Sequence, residues 1–223
     1  MLDWIQINVS DTCNLCCDQC HWFSQPVKQM ETIIPKDIIS FVNTWHPRIV
    51  QFSGGEPTLW DGLAETINTL NFRVKVILST NGTKPEVLEN IKRPIKLNFS
   101  YHKGIDSSLF GQSVSVAKRK EFVFDIASFD RTGGPIELIQ ENQLNVSKSD
   151  PRIGKRVSCR PTKIYFGSDG RAYWCEKGLR SKADEFYAGF TLTTGIPRRE
   201  FKECKLDWFC CTAKDEQELR IDI

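Results

Sequence analysis

The sequence predicts an α/β protein built on a parallel sheet, with a small cysteine-rich appendage of β-hairpin and helix towards its C-terminal end. Three observations carry this. Short apolar strands alternate with segments of helical period at intervals of about twenty to forty residues, the pattern of repeated βα units. At most six such units fit the 223 residues, so a full eight-unit barrel does not. From about residue 150 the alternation gives way to a hairpin signal and five further cysteines. Residues 1–150 are therefore assigned to the core and 151–223 to the appendage.

In Trp4 to Val9 the apolar Ile5, Ile7 and Val9 alternate with Gln6 and Asn8, a first strand bounded by Ser10 and Asp11. Pro35 opens a helix with Ile38, Ile39, Val42 and Trp45 on one face and Pro47 beyond its end. Ile49 to Phe52 is a short apolar strand running into Ser53-Gly54-Gly55. Leu59, Leu63, Ile67 and Leu70 repeat at close to the helical period and predict a second helix. Val74 to Leu78 is a third strand, closed by the turn pair Asn81-Gly82. Thr83 with Glu86 three residues on, and Pro85 between, is a capping-box signature for a third helix carrying Val87, Leu88 and Ile91. Ile95, Leu97, Phe99 and Tyr101 alternate as a fourth strand. Phe122 to Ile126 is a fifth and Ile136 to Ile139 a weaker sixth. Lys163 to Phe166 and Arg171 to Trp174 flank Gly167-Ser168-Asp169-Gly170, a hairpin.

Composition sets outer bounds. Apolar residues at 40% and charged residues at 26% suit a folded globular chain and exclude the low hydrophobicity of a disordered one. No run approaches the roughly 18 apolar residues of a membrane span, and Met1 to Ser10 lack the pattern of a secretory signal. The expected location is the cytoplasm, with no membrane partner. In a reducing compartment nine cysteines, an odd count, point to metal binding more than to disulfides. The net charge of +2 names no partner. The run Arg152, Lys155, Arg156, Arg160 and Lys163, with no acid after Asp150, reads as a solvated loop or as an anion-binding patch.

Chemistry concentrates in two loops. Cys13, Cys17 and Cys20 form a CxxxCxxC array directly after the first strand. Three thiolates in one loop can hold three irons of a cubane and leave the fourth open to a ligand that is not protein. A zinc site completed by Cys16 or His21, or buried thiols, are the other readings of that array. Ser53-Gly54-Gly55-Glu56-Pro57 follows the second strand, on the same carboxyl edge of a parallel sheet, where sites assemble. Paired glycines let backbone approach a ligand closely, and Glu56 can accept hydrogen bonds from an ammonium group; an ordinary strand-to-helix turn is the plainer reading.

Together the two motifs resemble the radical S-adenosylmethionine (SAM) superfamily, clearly over about residues 4 to 102 and less so to 150. The resemblance implies a partial (β/α)6 TIM-like barrel and a 4Fe-4S cluster held by Cys13, Cys17 and Cys20, its open iron chelated by the amino and carboxylate groups of SAM. It implies that Gly54, Gly55, Glu56 and Pro57 position the methionine ammonium. Reductive cleavage of SAM would then yield a 5′-deoxyadenosyl radical that abstracts hydrogen from substrate, with the electron supplied by a reductant such as flavodoxin or ferredoxin. One departure stands out: the position before the last cysteine, often aromatic in the family and in contact with adenine, is Gln19, and Trp22 or Phe23 could substitute for it. Ser79-Thr80-Asn81 resembles a family turn in which Asn81 contacts SAM or shapes the loop. Asn98 and Ser100 share a face of the fourth strand from which ribose contacts come. His102 and Asp125 are candidates to face the substrate, or surface polar residues.

The later cysteines divide unevenly. A hairpin bringing Cys159 and Cys175 together, closed by Cys204 and Cys210, is a reasonable four-thiolate cage, with Cys16 and Cys211 spare or Cys211 in place of Cys210. It resembles the twitch form of the SPASM appendage, which implies an auxiliary 4Fe-4S cluster; four thiolates serve zinc as readily. The leading expectation is oxidation or rearrangement of a small molecule or peptide. Modification of a nucleotide or of a base in nucleic acid is the second, on the basic run and the aromatics Tyr165, Phe166, Tyr173 and Trp174. A glycyl-radical activating enzyme fits the length but not the five late cysteines. A zinc-binding interaction module leaves the GGEP motif unexplained.

Overall fold

The computed structural model describes residues 3–17, 20, 33–102, 104–128, 157–161, 163–173, 179, 187–194, 202–203 and 217–221. Five strands run parallel: β1 (Trp4–Ser10), β2 (Ile49–Gly54), β3 (Lys75–Thr80), β4 (Lys96–Tyr101) and β5 (Val123–Ser128). The crossovers carry α1 (Pro35–Trp45), α2 (Leu63–Thr69), α3 (Pro85–Glu89) and α4 (Ser107–Arg119). This is the expected α/β parallel-sheet architecture, consistent with a partial barrel.

One difference concerns the hairpin. After β6 (Val157–Pro161) come β7 (Lys163–Phe166) and β8 (Arg171–Tyr173), joined by the Gly167–Gly170 turn with Gly170 at φ +77°. β7 does not stand apart from the core. It pairs parallel with β1, Trp4 opposite Lys163 and Ile7 opposite Phe166, so that β1 becomes an interior strand. With β9 (Tyr187–Thr191) the order is β5-β4-β3-β2-β1-β7-β8-β9, and β10 (Lys202–Glu203), β6 and β11 (Gln217–Ile221) form a second sheet with the strand order β10-β6-β11. The expected sixth strand at 136–139 lies outside the described residues.

The period of two divides the sheet's faces by chemistry. Ile5, Ile7, Val9, Val50, Phe52, Val76, Leu78, Leu97, Phe99, Ile164 and Phe166 join one core with Ile38, Phe41, Val42, Leu63, Ile67 and Phe110 of the helices. Edge-to-face rings stitch the layers: Phe41 against Phe166 at 5.0 Å between centroids, and Phe110 against Phe99 at 5.5 Å. The opposite face is polar yet buried in its centre: Gln6, Asn8 and Ser10 on β1 beside Ser53 and the half-buried Gln51 on β2. Ser79 and then Asn98 continue that face, since Gln51 is level with Ile77 and Ser79 pairs with Asn98.

Three local outcomes depart from the sequence reading. The helix expected from Leu59 to Leu70 is two pieces, a 3₁₀ turn Pro57–Leu59 and α2, because Trp60 turns extended at ψ 115°. α3 starts at Pro85 without the expected capping box, because the Thr83 hydroxyl donates to Asn81 Oδ1 at 2.7 Å instead of capping the helix. α4 was not foreseen: its Phe110, Ser113, Val114 and Ala117 keep helical spacing and Asp106 caps it through Ser108 and Leu109 N–H, but Ser and Gly thin its apolar stripe.

Candidate active site

β1, β2 and β3 are neighbours and end level, so the loops after them meet at one sheet edge. Backbone joins the first two. Gly55 N–H donates to Ser10 C=O and Glu56 N–H to Thr12 C=O, each at 2.8 Å, which lays the GGEP segment along the entrance to the cysteine loop. Only glycine permits so close an approach. A Cβ on Gly54, held at φ +134°, would stand 2.2 Å from Ser10 O, and one on Gly55 2.3 Å from Thr12 O.

Glu56 is 1% exposed and its carboxylate is turned inward. Oε1 accepts from Thr58 N at 3.0 Å, Thr58 Oγ1 at 2.6 Å and Thr80 Oγ1 at 2.7 Å, and Oε2 accepts from Asn81 N at 2.7 Å. Burial pushes its pKa up, against donors from Asn81, Thr58 and Thr80 that favour the ionised form. The side chain thus locks β2's loop to β3's, and Pro57 opens the 3₁₀ turn that supplies the Thr58 donors.

Asn81, 5% exposed, extends this lock to the cysteines. Its Nδ2 donates to Asn14 Oδ1 at 2.9 Å and to Cys13 Sγ at 4.0 Å, and its Oδ1 accepts from Thr83 N at 3.1 Å and from Thr83 Oγ1. Asn14 Nδ2 closes the ring on Thr83 Oγ1 at 2.8 Å. Sequence reasoning passed over Asn14, Thr58 and the hydroxyl of Thr83. Nothing local marks Asn14, whose partners Asn81 and Thr83 lie 67 and 69 positions away, while Thr58 serves Glu56 two residues before it.

Of the cysteines in this loop Cys13 is buried, Cys17 and Cys20 half-buried and Cys16 exposed, and none is in a disulfide. Cys20 N–H donates to Cys17 C=O at 3.1 Å, folding the last two together. Leu15 N–H reaches Cys13 Sγ at 3.4 Å. Two N–H donors aimed at one sulfur favour the thiolate, the form that ligates iron, so the residues present fit an iron–sulfur cluster. Among the described residues no three His, Cys, Asp or Glu side chains converge on a single-ion site; a cubane takes its thiolates on separate irons.

Without metal, burial pushes the Cys13 thiol from an ordinary 9.0 up to about 11. The folded chain then holds that proton more tightly than the unfolded one. Its contribution is present below pH 9 and lost as pH rises towards 11. Metal-free protein is expected to lose about 2–3 kcal/mol of stability across that window, at roughly 1.4 kcal/mol per unit. Denaturant midpoints measured across it in the native sequence and in Cys13→Ala check this; equal slopes would refute it.

The remaining candidates fall at various depths. Asn98 pairs with Ser79 on the polar face, and Ser100 lies one step past the Thr80–Phe99 pair, at the site's edge. Ser79 accepts from Gln51 Nε2 at 3.0 Å. Asp125 is largely exposed and bonded to Lys96 Nζ at 2.7 Å, which fits its surface reading; His102 is half-buried with its contacts made. Asn8, 2% exposed on that face below Ser10, has an Oδ1 without a hydrogen-bond partner.

Two readings of the later segment change. Lys163 is buried, with Nζ on Gln51 Oε1 at 3.1 Å and over the Trp4 ring at 4.1 Å, so it is not part of a surface anion patch. Tyr165, Phe166 and Tyr173 are core residues, so they are unavailable as a surface for stacking bases. Cys159 lies on β6, paired with Lys202 and Leu219. Cys175, Cys204, Cys210, Cys211, Gln19, Trp22, Phe23, Trp174, Arg152, Lys155 and Arg156 lie outside the described residues.

Comparison with known proteins agrees with the motif reading. The chain is 32% identical over 75 residues to a 7-carboxy-7-deazaguanine synthase of Clostridium acetobutylicum, a match spanning 32% of this chain and 34% of that protein, about a third of its length. The solved structure of anSMEcpe with bound AdoMet and a Cp18Cys peptide superposes with a TM-score of 0.51 at 15% identity, over 87% of this chain and 78% of that one. Streptococcus suis SuiB bound to its precursor peptide SuiA superposes at 0.46 and 14%, over 82% and 61%. No family model matches. With CxxxCxxC after β1, GGEP hydrogen-bonded across it after β2, and this fold beneath them, the chain resembles the radical SAM superfamily in motif and in fold.

Proposed function

We propose that the protein is a radical SAM enzyme acting on a small, polar molecule, which it oxidises or rearranges at a C–H bond. The observation that carries the reading is the backbone clamp between the two motifs, Gly55 to Ser10 and Glu56 to Thr12. Cys13, Cys17 and Cys20 would hold the 4Fe-4S cluster, and the Gly54–Pro57 segment would bind the amino end of SAM through backbone groups while Glu56 holds the segment's shape. When bound, the reduced cluster and SAM supply a 5′-deoxyadenosyl radical. The chain's part is to orient the reactants and keep water out, and the apolar core behind β1–β4 makes that edge rigid.

Two features support the substrate class. The central polar face is lined by amides and hydroxyls, from Gln6, Asn8, Gln51, Ser53, Ser79 and Asn98, with the Lys163 ammonium on Gln51, which suit a hydrogen-bonding polar ligand. The partial relative is named for a small heterocyclic product. A peptide is the alternative occupant. An auxiliary 4Fe-4S cluster on Cys159, Cys175, Cys204 and Cys210 belongs to the same proposal, and anaerobic reconstitution should then yield about eight irons per chain where a single cubane gives about four.

Reconstituted, reduced protein incubated with SAM is expected to release 5′-deoxyadenosine, and Cys17→Ala to release none above background. No 5′-deoxyadenosine from the native sequence with dithionite, titanium citrate or reduced flavodoxin would overturn the proposal.

A further inference from the structure

Every hydrogen-bonding position on the Asn81 carboxamide is taken. Its two acceptor positions serve Thr83 N and Thr83 Oγ1, and its two donor positions serve Asn14 Oδ1 and Cys13 Sγ. The backbone N–H is spent on Glu56 Oε2. A SAM contact through this side chain would therefore require one of these bonds to give way.

The contact to Cys13 is long for a hydrogen bond, but its aim is fixed. Asn14 shares the same nitrogen at 2.9 Å and Thr83 holds the oxygen end, so the second N–H cannot turn elsewhere. Together with Leu15 N–H it gives the Cys13 sulfur two donors inside a buried setting, with a buried carboxylate close by. Donors on a cluster thiolate favour the more reduced, more negative cluster and raise its potential; negative charge nearby lowers it.

Resting on the proposed cluster at Cys13, Cys17 and Cys20, we infer that Asn81 is a positioning residue that tunes the cluster's reduction potential through the Cys13 sulfur, with Asn14 holding it in aim. Glu56 sits at the other end of the same chain of bonds. The segment that would receive SAM and the thiolate that would hold iron are thereby tied to one carboxamide.

The test compares Asn81→Asp, Asn81→Ala and Asn14→Ala as reconstituted holoproteins, reading the midpoint potential by dithionite titration followed by EPR, SAM affinity from the spectral change on its addition, and thermal unfolding. Asn81→Asp keeps acceptors for Thr83 but replaces the donor near sulfur with negative charge. Its midpoint is expected to fall furthest, by up to the 59 mV that corresponds to a tenfold change in the reduction equilibrium. Asn81→Ala loses the Thr83 bonds as well and should melt lowest, with a smaller shift in potential. Asn14→Ala, at an exposed position, should fold normally and shift the reduction equilibrium a few-fold in the same direction, a smaller fall in midpoint than that of Asn81→Asp. A purely structural role predicts melting changes with no ordering of potentials, and that result overturns the inference. Unchanged midpoints with a tenfold loss of SAM affinity would overturn it too, returning Asn81 to the cofactor pocket. A native protein with no reducible cluster would sink the proposed function, which the absence of any EPR signal after full reduction of the native protein shows separately.

Discussion

Gly55→Ala is expected to unfold the junction between the two loops and to leave a protein that retains little iron. The added methyl would lie 2.3 Å from Thr12 O and 2.6 Å from Thr12 C, backbone atoms with no freedom to rotate aside. Relief requires the segments to separate, which breaks the Gly55–Ser10 and Glu56–Thr12 bonds. Overpacking and two lost backbone bonds together cost about 3–5 kcal/mol. Denaturant unfolding of the apoprotein reads the stability, and iron bound after reconstitution reads the site. A variant within about 0.5 kcal/mol of the native sequence would show that the loops do not meet as described.

Glu56→Ala should be nearly as damaging for a different reason. Removing the carboxylate strands Thr58 N–H and Asn81 N–H in a buried place and leaves two hydroxyls to find new acceptors. Buried groups left unpaired cost about 1–3 kcal/mol each, so a loss of about 3–5 kcal/mol is expected. Glu56→Gln separates charge from shape: its amide nitrogen must face at least one N–H, so the loss should fall to about 1–3 kcal/mol. If Glu56 served only to greet an ammonium ion, both variants would unfold like the native protein and differ from it only in SAM binding.

Much of this was legible beforehand. Alternation in Trp4–Val9 and Ile95–Tyr101 gave strands with the correct faces, because a half-polar sheet face enforces period two. The two motifs lay on one edge because consecutive parallel strands end on one side. What stayed hidden depended on partners far along the chain. Nothing in Thr83 and Glu86 distinguishes a capping box from a hydroxyl claimed by Asn81 and Asn14. α4 was obscured by Ser107, Ser108, Gly111, Ser113 and Ser115, of which Ser113 is buried only because its hydroxyl donates to Gly82 C=O at 2.7 Å. Lys163 read as part of a basic run because β7 gives no local sign that Gln51 and Trp4 await it.

The pairing of β1 with β7 bears on how the chain is made. On a ribosome β1 emerges before both of its partners, and β2 is available 45 positions after it, by the pairing of Trp4 with Ile49. Its other partner, Lys163 opposite Trp4, lies 159 positions away. Until β7 has been made, the strand that leads into Cys13 carries one open edge, the kind that recruits neighbouring chains. Contacts this distant in sequence also form slowly. Assembly of the metal loop is therefore best timed after β7 has docked on β1, and recombinant yield should depend more on slow, cool expression than on iron supply.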